Sequence, residues 1–202
     1  MSKPKTKKTA AAKAEPAKTL EFPGSSEFRA WLESNHDKCD GVWLRFFKKA
    51  SKVVSVKYAE ALDHSLCFGW IDGQVRPFDE RSWIQKFTPR RARSSWSKRN
   101  TEHVDRLAKA GLMHAAGQKA IDAAKADGRW AAAYDSPRNA VPPADFLKAL
   151  ESNKKAKEFF ATLNRANIYY IVYNLQTAKK PETRERRFKM IMESLERGRK
   201  FH

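Results

Sequence analysis

Two cysteines in 202 residues, Cys39 and Cys67, are too few to build a disulfide framework, and reduced thiols are the expectation. Long apolar runs are also missing. No stretch approaches the roughly eighteen apolar residues of a membrane-spanning helix. The first nineteen residues, MSKPKTKKTAAAKAEPAKT, lack the apolar centre of a secretory signal. The chain is therefore expected to be cytoplasmic.

The familiar catalytic signatures are missing too. There is no GxxxxGK[ST] phosphate loop, no GxGxxG dinucleotide fingerprint and no HExxH zinc motif. His64, His103 and His114 have no orienting partner at a spacing that would activate a serine. His36-x-x-Cys39 and His64-x-x-Cys67 offer zinc-type ligands, but Cys67 lies in the apolar run SLCFGW and reads as a small buried hydrophobe. No metal or other cofactor is expected. A binding protein is favoured over an enzyme, the enzymatic alternative resting on Asp72, between Ile71 and Gly73, as a general base.

Acidic residues are scarce relative to bases: 23 Asp+Glu against 41 Lys+Arg give a net charge of +18. Such a surplus favours polyanionic partners and says little about fold. Residues 1–19 carry six lysines and one glutamate among Ala, Pro and Thr. That composition cannot bury enough surface to offset chain entropy, so a disordered basic tail is expected. Lys5, Lys7 and Lys8 are its candidate nucleic-acid contacts.

Six Trp and twelve Phe, within 41% hydrophobic residues, are enough to fill a core in a chain of this length. SSEFRAWLESN places Phe28, Trp31 and Leu32 at helical spacing, GVWLRFFKK reads as a strand, and SVKYAEALDHSLCFG reads as a helix stopped by Gly69. WIDGQVRPF and RSWIQKFTP read as two strands joined by a turn at Asp79 and Glu80. From residue 97 the signals are helical. The last helix is the clearest, opening at Pro181 and carrying the stripe Phe188, Ile191, Met192, Leu195. The fold class is α+β, with a small antiparallel sheet flanked by helices in the N-terminal half and an all-helical C-terminal half. The SPRNAVPP loop suggests domains at 20–135 and 136–202.

GWIDG (69–73), KFTPRRARSSWSKRN (86–100), ADGRW (126–130) and AKKPETRERR (178–187) occur in that order. The set resembles the YdeI/OmpD-associated, or bacteriocin-protection, family over roughly residues 21–200. The resemblance implies an OmpD-associated-like helical C-terminal domain. It also implies a link to a stress response and to protection against bacteriocins and cationic antimicrobial peptides, without a settled chemical activity. A +18 chain repels a cationic peptide, so direct sequestration is disfavoured.

Strand alternation would put Trp70, Asp72, Gln74 and Arg76 on one face, with Trp83 near them. Residues 86–99 hold Lys86, Arg90, Arg91, Arg93, Lys98 and Arg99 without an acid, interleaved with Phe87 and Trp96. Guanidinium groups bind phosphate or carboxylate, an indole stacks on a planar group, and Ser97 with Asn100 opens a helix whose N–H groups attract anions. The expected site is an aromatic and arginine-lined pocket of Trp70, Asp72, Arg76, Trp83, Arg90, Arg91, Trp96, Ser97 and Asn100, taking a small anionic or nucleotide-like ligand. One alternative is non-specific nucleic-acid binding through the tail with Arg93, Lys98 and Arg99. In a structural reading, the arginines instead pair with Asp72, Asp79 and Glu80. Gly128 and Trp130 of ADGRW read as a helix stop and a core residue.

Overall fold

A computed structural model describes residues 19–201. The basic tail, with Lys5, Lys7 and Lys8, lies outside the described residues apart from Thr19. The chain divides into two compact units: residues up to Ser65 with Trp70–Pro89, and Leu66–Gly69 with Arg90 onward.

The first unit is built on strands β1 (Thr19–Leu20), β2 (Val42–Phe47), β3 (Trp70–Asp79) and β4 (Ser82–Pro89), in the order β1-β2-β4-β3. β2, β4 and β3 are antiparallel, whereas β1 runs parallel to β2 with Thr19 beside Trp43. The sheet is therefore mixed, not purely antiparallel. A two-residue strand has no periodicity to read, which is why β1 is invisible in the sequence. Val42, Leu44 and Phe46 lie opposite Phe87, Gln85 and Trp83, and this face carries the core. Helix α1 (Ser25–Asn35) supplies the buried Phe28 and Leu32, with the Phe28 ring 6.1 Å from Phe87. Helix α2 (Tyr58–Cys67) adds Ala61 and Leu62.

Asp79 organises the β3–β4 turn by accepting from the Arg81 N–H at 2.9 Å and the Ser82 hydroxyl at 2.6 Å. Arg45 reaches the same carboxylate and also donates to Glu21 at 2.6 Å. These hydrogen bonds hold the Asp79 carboxyl below the usual carboxylate range, the Ser82 bond contributing most.

Within β3, Asp72 faces Phe87 but Val75 faces Gln85, so three steps along β3 match two along β4. This bulge, at the unbranched Gly73, ends the expected alternation. Trp70 and Asp72 share the core-bearing face, while Arg76, opposite Ile84, lies on the other.

The second unit holds α3 (Lys98–Lys109), α4 (Ala115–Ala126), α5 (Ala144–Glu151), α6 (Lys154–Phe160), α7 (Arg165–Gln176) and α8 (Pro181–Glu196). α4 seats against the end of α2, where the His114 N–H donates to the Cys67 carbonyl at 3.1 Å. A Cβ on Gly117 would stand 2.0 Å from that carbonyl oxygen, so the approach requires glycine. Phe146, Leu150, Ile171, Leu175, Ile191 and Leu195 form the core of α5–α8. Asn164 caps α7 through the Asn167 N–H at 3.0 Å, and the buried Asn167 accepts from the Phe201 N–H at 2.8 Å. The 136–143 loop, expected to separate domains, lies inside this unit and is tied to α7 by Arg165, which donates to the Pro137 and Arg138 carbonyls.

Candidate functional site

In the first unit the expected site residues are engaged locally. Trp70 is 1% exposed, and its Nε1 donates to the His36 carbonyl at 3.0 Å while its ring meets Trp31 edge-on. The half-buried Asp72 accepts from the Tyr58 hydroxyl at 2.8 Å and the Gln85 amide at 2.9 Å, both on Oδ2. Arg76 lies 4.8 Å from the centre of the Trp43 ring, and Trp83 stacks on Phe46 at 5.6 Å. Asp79, offered in the structural reading as a partner for residues 86–99, pairs with Arg45.

In the second unit, Trp96 is 1% exposed, with the Arg90 guanidinium 3.6 Å from its ring centre and Trp130 at 5.0 Å. Arg90 also donates to the Ser95 carbonyl at 3.2 Å. The indole is thus packed within the unit. Ser97 is the cap of α3, its hydroxyl accepting from the Asn100 N–H at 3.2 Å. Arg91 and Arg99 are exposed, and Lys98 pairs with Asp135 at 2.8 Å.

Arg93 leads to a different grouping. It lines a cleft of about 670 Å³ with Ser95, Asp127, Arg129, Gln176 and Lys179. These residues come from three of the motifs that carried the resemblance, or from their immediate neighbour Gln176. The framework joining them is explicit. Arg129 donates to the Ser94 carbonyl at 3.0 Å and to both Asp127 oxygens at 2.8 and 2.6 Å. The Trp96 and Lys98 backbone pairs with Tyr134, and Asp135 exchanges hydrogen bonds with the Gln176 amide. Arg187 of the last motif donates to the Asn174 carbonyl at 2.8 Å and the Thr177 hydroxyl at 3.4 Å, holding the 174–177 wall.

The electrostatics follow from these contacts. Arg129's hydrogen bonds hold the Asp127 carboxyl below its ordinary range, with the charges of Arg129 and Lys179 adding to the effect. Lys98 and Gln176 depress Asp135 in the same way. Tyr169, desolvated beside Tyr134, Tyr173 and Asp135, is pushed up to about 12 and stays a neutral phenol. Arg93, Arg129 and Lys179 against Asp127 leave the lining net positive. Among the described residues no cluster of His, Cys, Asp or Glu could hold a metal ion, and no helix is long and apolar enough to cross a membrane.

Sequence reasoning missed Asp127, Arg129, Gln176 and Lys179 as site residues. The signal was present in ADGRW, where Gly128 and Trp130 read as a helix stop and a core residue, and in AKKPETRERR, whose charges served only the resemblance. Gly128, with φ +78°, does stop α4, and the same turn brings Arg129 to the cleft.

Residues 20–120 match a family model described as a domain of unknown function, DUF8412, and residues 139–198 match one described as bacteriocin-protection, YdeI or OmpD-associated. No curated protein and no solved structure matches. AKKPETRERR falls in the second match, GWIDG and KFTPRRARSSWSKRN fall in the first, and ADGRW lies between them. The resemblance drawn over 21–200 therefore narrows to 139–198. The chain belongs to the DUF8412 family through its first half and carries a bacteriocin-protection, YdeI or OmpD-associated domain in its second.

Proposed function

We propose that the chain binds a small anionic or nucleotide-like ligand in the cleft lined by Arg93, Arg129 and Lys179. Protection of the kind named for the matched family would then act through that ligand, not by capture of a cationic peptide. The observation supporting this reading is that three separated motifs meet on one cleft whose lining holds three cations and one carboxylate. Arg129 is pre-oriented by Asp127 and Ser94, so little side-chain entropy is lost when its remaining N–H donors meet a phosphate. α8 begins two residues beyond Lys179 without a side-chain cap, and its N-terminal partial charge favours the same sign of ligand. The aromatic part of the expected pocket is absent from the lining, because Trp96 is buried against Arg90 and Trp130.

Isothermal titration of the full chain with inorganic pyrophosphate tests the reading. One saturable site is expected, weakened about tenfold or more by Lys179→Ala and by Arg93→Ala, with the thermal midpoint unchanged in both. Absence of binding to pyrophosphate, inorganic phosphate and AMP would remove it. Binding of a single-stranded oligonucleotide that ignores both substitutions and falls steeply with salt would favour the nucleic-acid reading.

A further inference from the structure

The first unit has its own cleft, of different character. It measures about 590 Å³ and includes the stacked Phe46 and Trp83 rings, the Tyr58 ring and the valines at 53, 54 and 56. Its volume and mainly apolar lining are those of small-molecule sites, which span roughly 300–1,000 Å³. Val54 is 84% exposed and Val53 38%, so apolar surface stands in water at the mouth. An apolar ligand body laid there removes that surface from solvent.

The rim has one sign of charge. Lys48, Lys49, Lys52 and Lys57 line the cleft, and no acidic residue is among the lining residues. Lys48 donates to the Glu80 carbonyl at 3.0 Å, and Lys57 lies 3.8 Å from the Glu60 carboxylate. Lys49 opens the short turn Lys49–Ser51 and Lys52 follows it. Lys52 has φ +57°, the left-handed conformation in which glycine is the ordinary choice, and among the described residues no other non-glycine residue has a positive φ. A lysine there keeps an ammonium group at the rim at a backbone cost glycine would not incur.

We infer that this cleft binds an anionic amphiphile: a single alkyl or acyl chain bearing one phosphate or carboxylate. The chain lies over the Phe46–Trp83 stack and the valines, and the head group meets Lys49 and Lys52. Charge complementarity selects the head, and the apolar floor selects the tail over a bare anion. This site is separate from the pyrophosphate cleft and does not depend on it.

Calorimetry of the full chain with decyl phosphate below its micellar concentration tests the assignment. With pyrophosphate saturating the cleft of Arg93, Arg129 and Lys179, binding at one further saturable site is expected, with neutral decyl maltoside at least tenfold weaker and inorganic phosphate without effect at this site. Lys52→Gly keeps the left-handed turn and removes the ammonium group, and Val54→Asp acts at a solvent-exposed position. Each should weaken decyl phosphate at least fivefold with the thermal midpoint retained, whereas Lys179→Ala should leave that affinity unchanged. Equal affinity for inorganic and decyl phosphate, or indifference to both rim substitutions, would overturn the assignment. So would binding confined to phosphatidylglycerol vesicles, which would identify the loop as a bilayer contact instead.

Discussion

The sheet-bearing unit and the helical unit treat the same kinds of residue in opposite ways. In the sheet unit, charges next to aromatics are taken up locally: Asp72 by Tyr58 and Gln85, Arg76 by Trp43, Arg45 by Asp79 and Glu21. In the helical unit, the exposed Arg93 and Lys179 lie in the β4–α3 and α7–α8 connections and line an open cleft. Geometry accounts for the contrast. A strand residue has cross-strand neighbours about 5 Å away on its own face, so a charge there finds a partner within the sheet. Connecting segments have fewer such neighbours, and charges such as those of Arg93 and Lys179 stay at the surface. An arginine beside a tryptophan is thus weak evidence for a site, in a strand, as Arg76 is by Trp43, and in a loop, as Arg90 is by the buried Trp96.

The largest effect expected from this contrast is at Trp70. Trp70→Ala should cost about 4 kcal/mol in urea unfolding, through a large cavity and loss of the bond to His36. A loss below about 1 kcal/mol would break the comparison, since it would return Trp70 to the surface. Asp72→Ala comes next. Removing the carboxylate strands the Tyr58 hydroxyl and the Gln85 amide, an expected loss of about 2 kcal/mol. Tyr58→Phe made together with it should recover part of that loss, and a double mutant as unstable as the sum of the singles would refute the coupling.

His64 gives the smallest expected effect and extends the comparison to pH. Burial first, then the Arg29 charge, hold its imidazole below the ordinary 6.5. The unfolded chain therefore takes up a proton before the folded one. The stability contribution is complete above about pH 6.5 and declines as pH falls through the folded value. Urea curves at pH 7.5 and 5.5 should show a smaller drop for His64→Gln than for the parent chain. Identical drops would show that other groups set the acid sensitivity.

The fold was largely legible because its long elements carry strong patterns. α1 and α8 follow from apolar spacing, Gly69 marks a helix end, and the β3–β4 turn follows from Asp79 and Glu80. β1 was illegible at two residues, and Gly117 gave no local hint, since its need arises from a Cys67 carbonyl fifty positions earlier. The cleft was legible only as motifs. Arg93 read as part of a basic patch, but nothing local told that Arg129 bonds to the Ser94 carbonyl or that Gln176 bonds to Asp135. Such pairings follow from chain tracing over tens of residues, which periodicity does not encode.

The bulge at Gly73 gives β3 two phases, like a text whose frame shifts by one letter partway through a line. Trp70 and Asp72 are read in the first phase and Arg76 in the second. If the same residues paired without that bulge, the alternation that starts at Trp70 would run on through Arg76. Arg76 would then leave the ring of Trp43 for the face that holds Phe87 and Phe46. The surplus residue is therefore what keeps Arg76 over the ring of Trp43 while Trp70, in the same strand, serves the core.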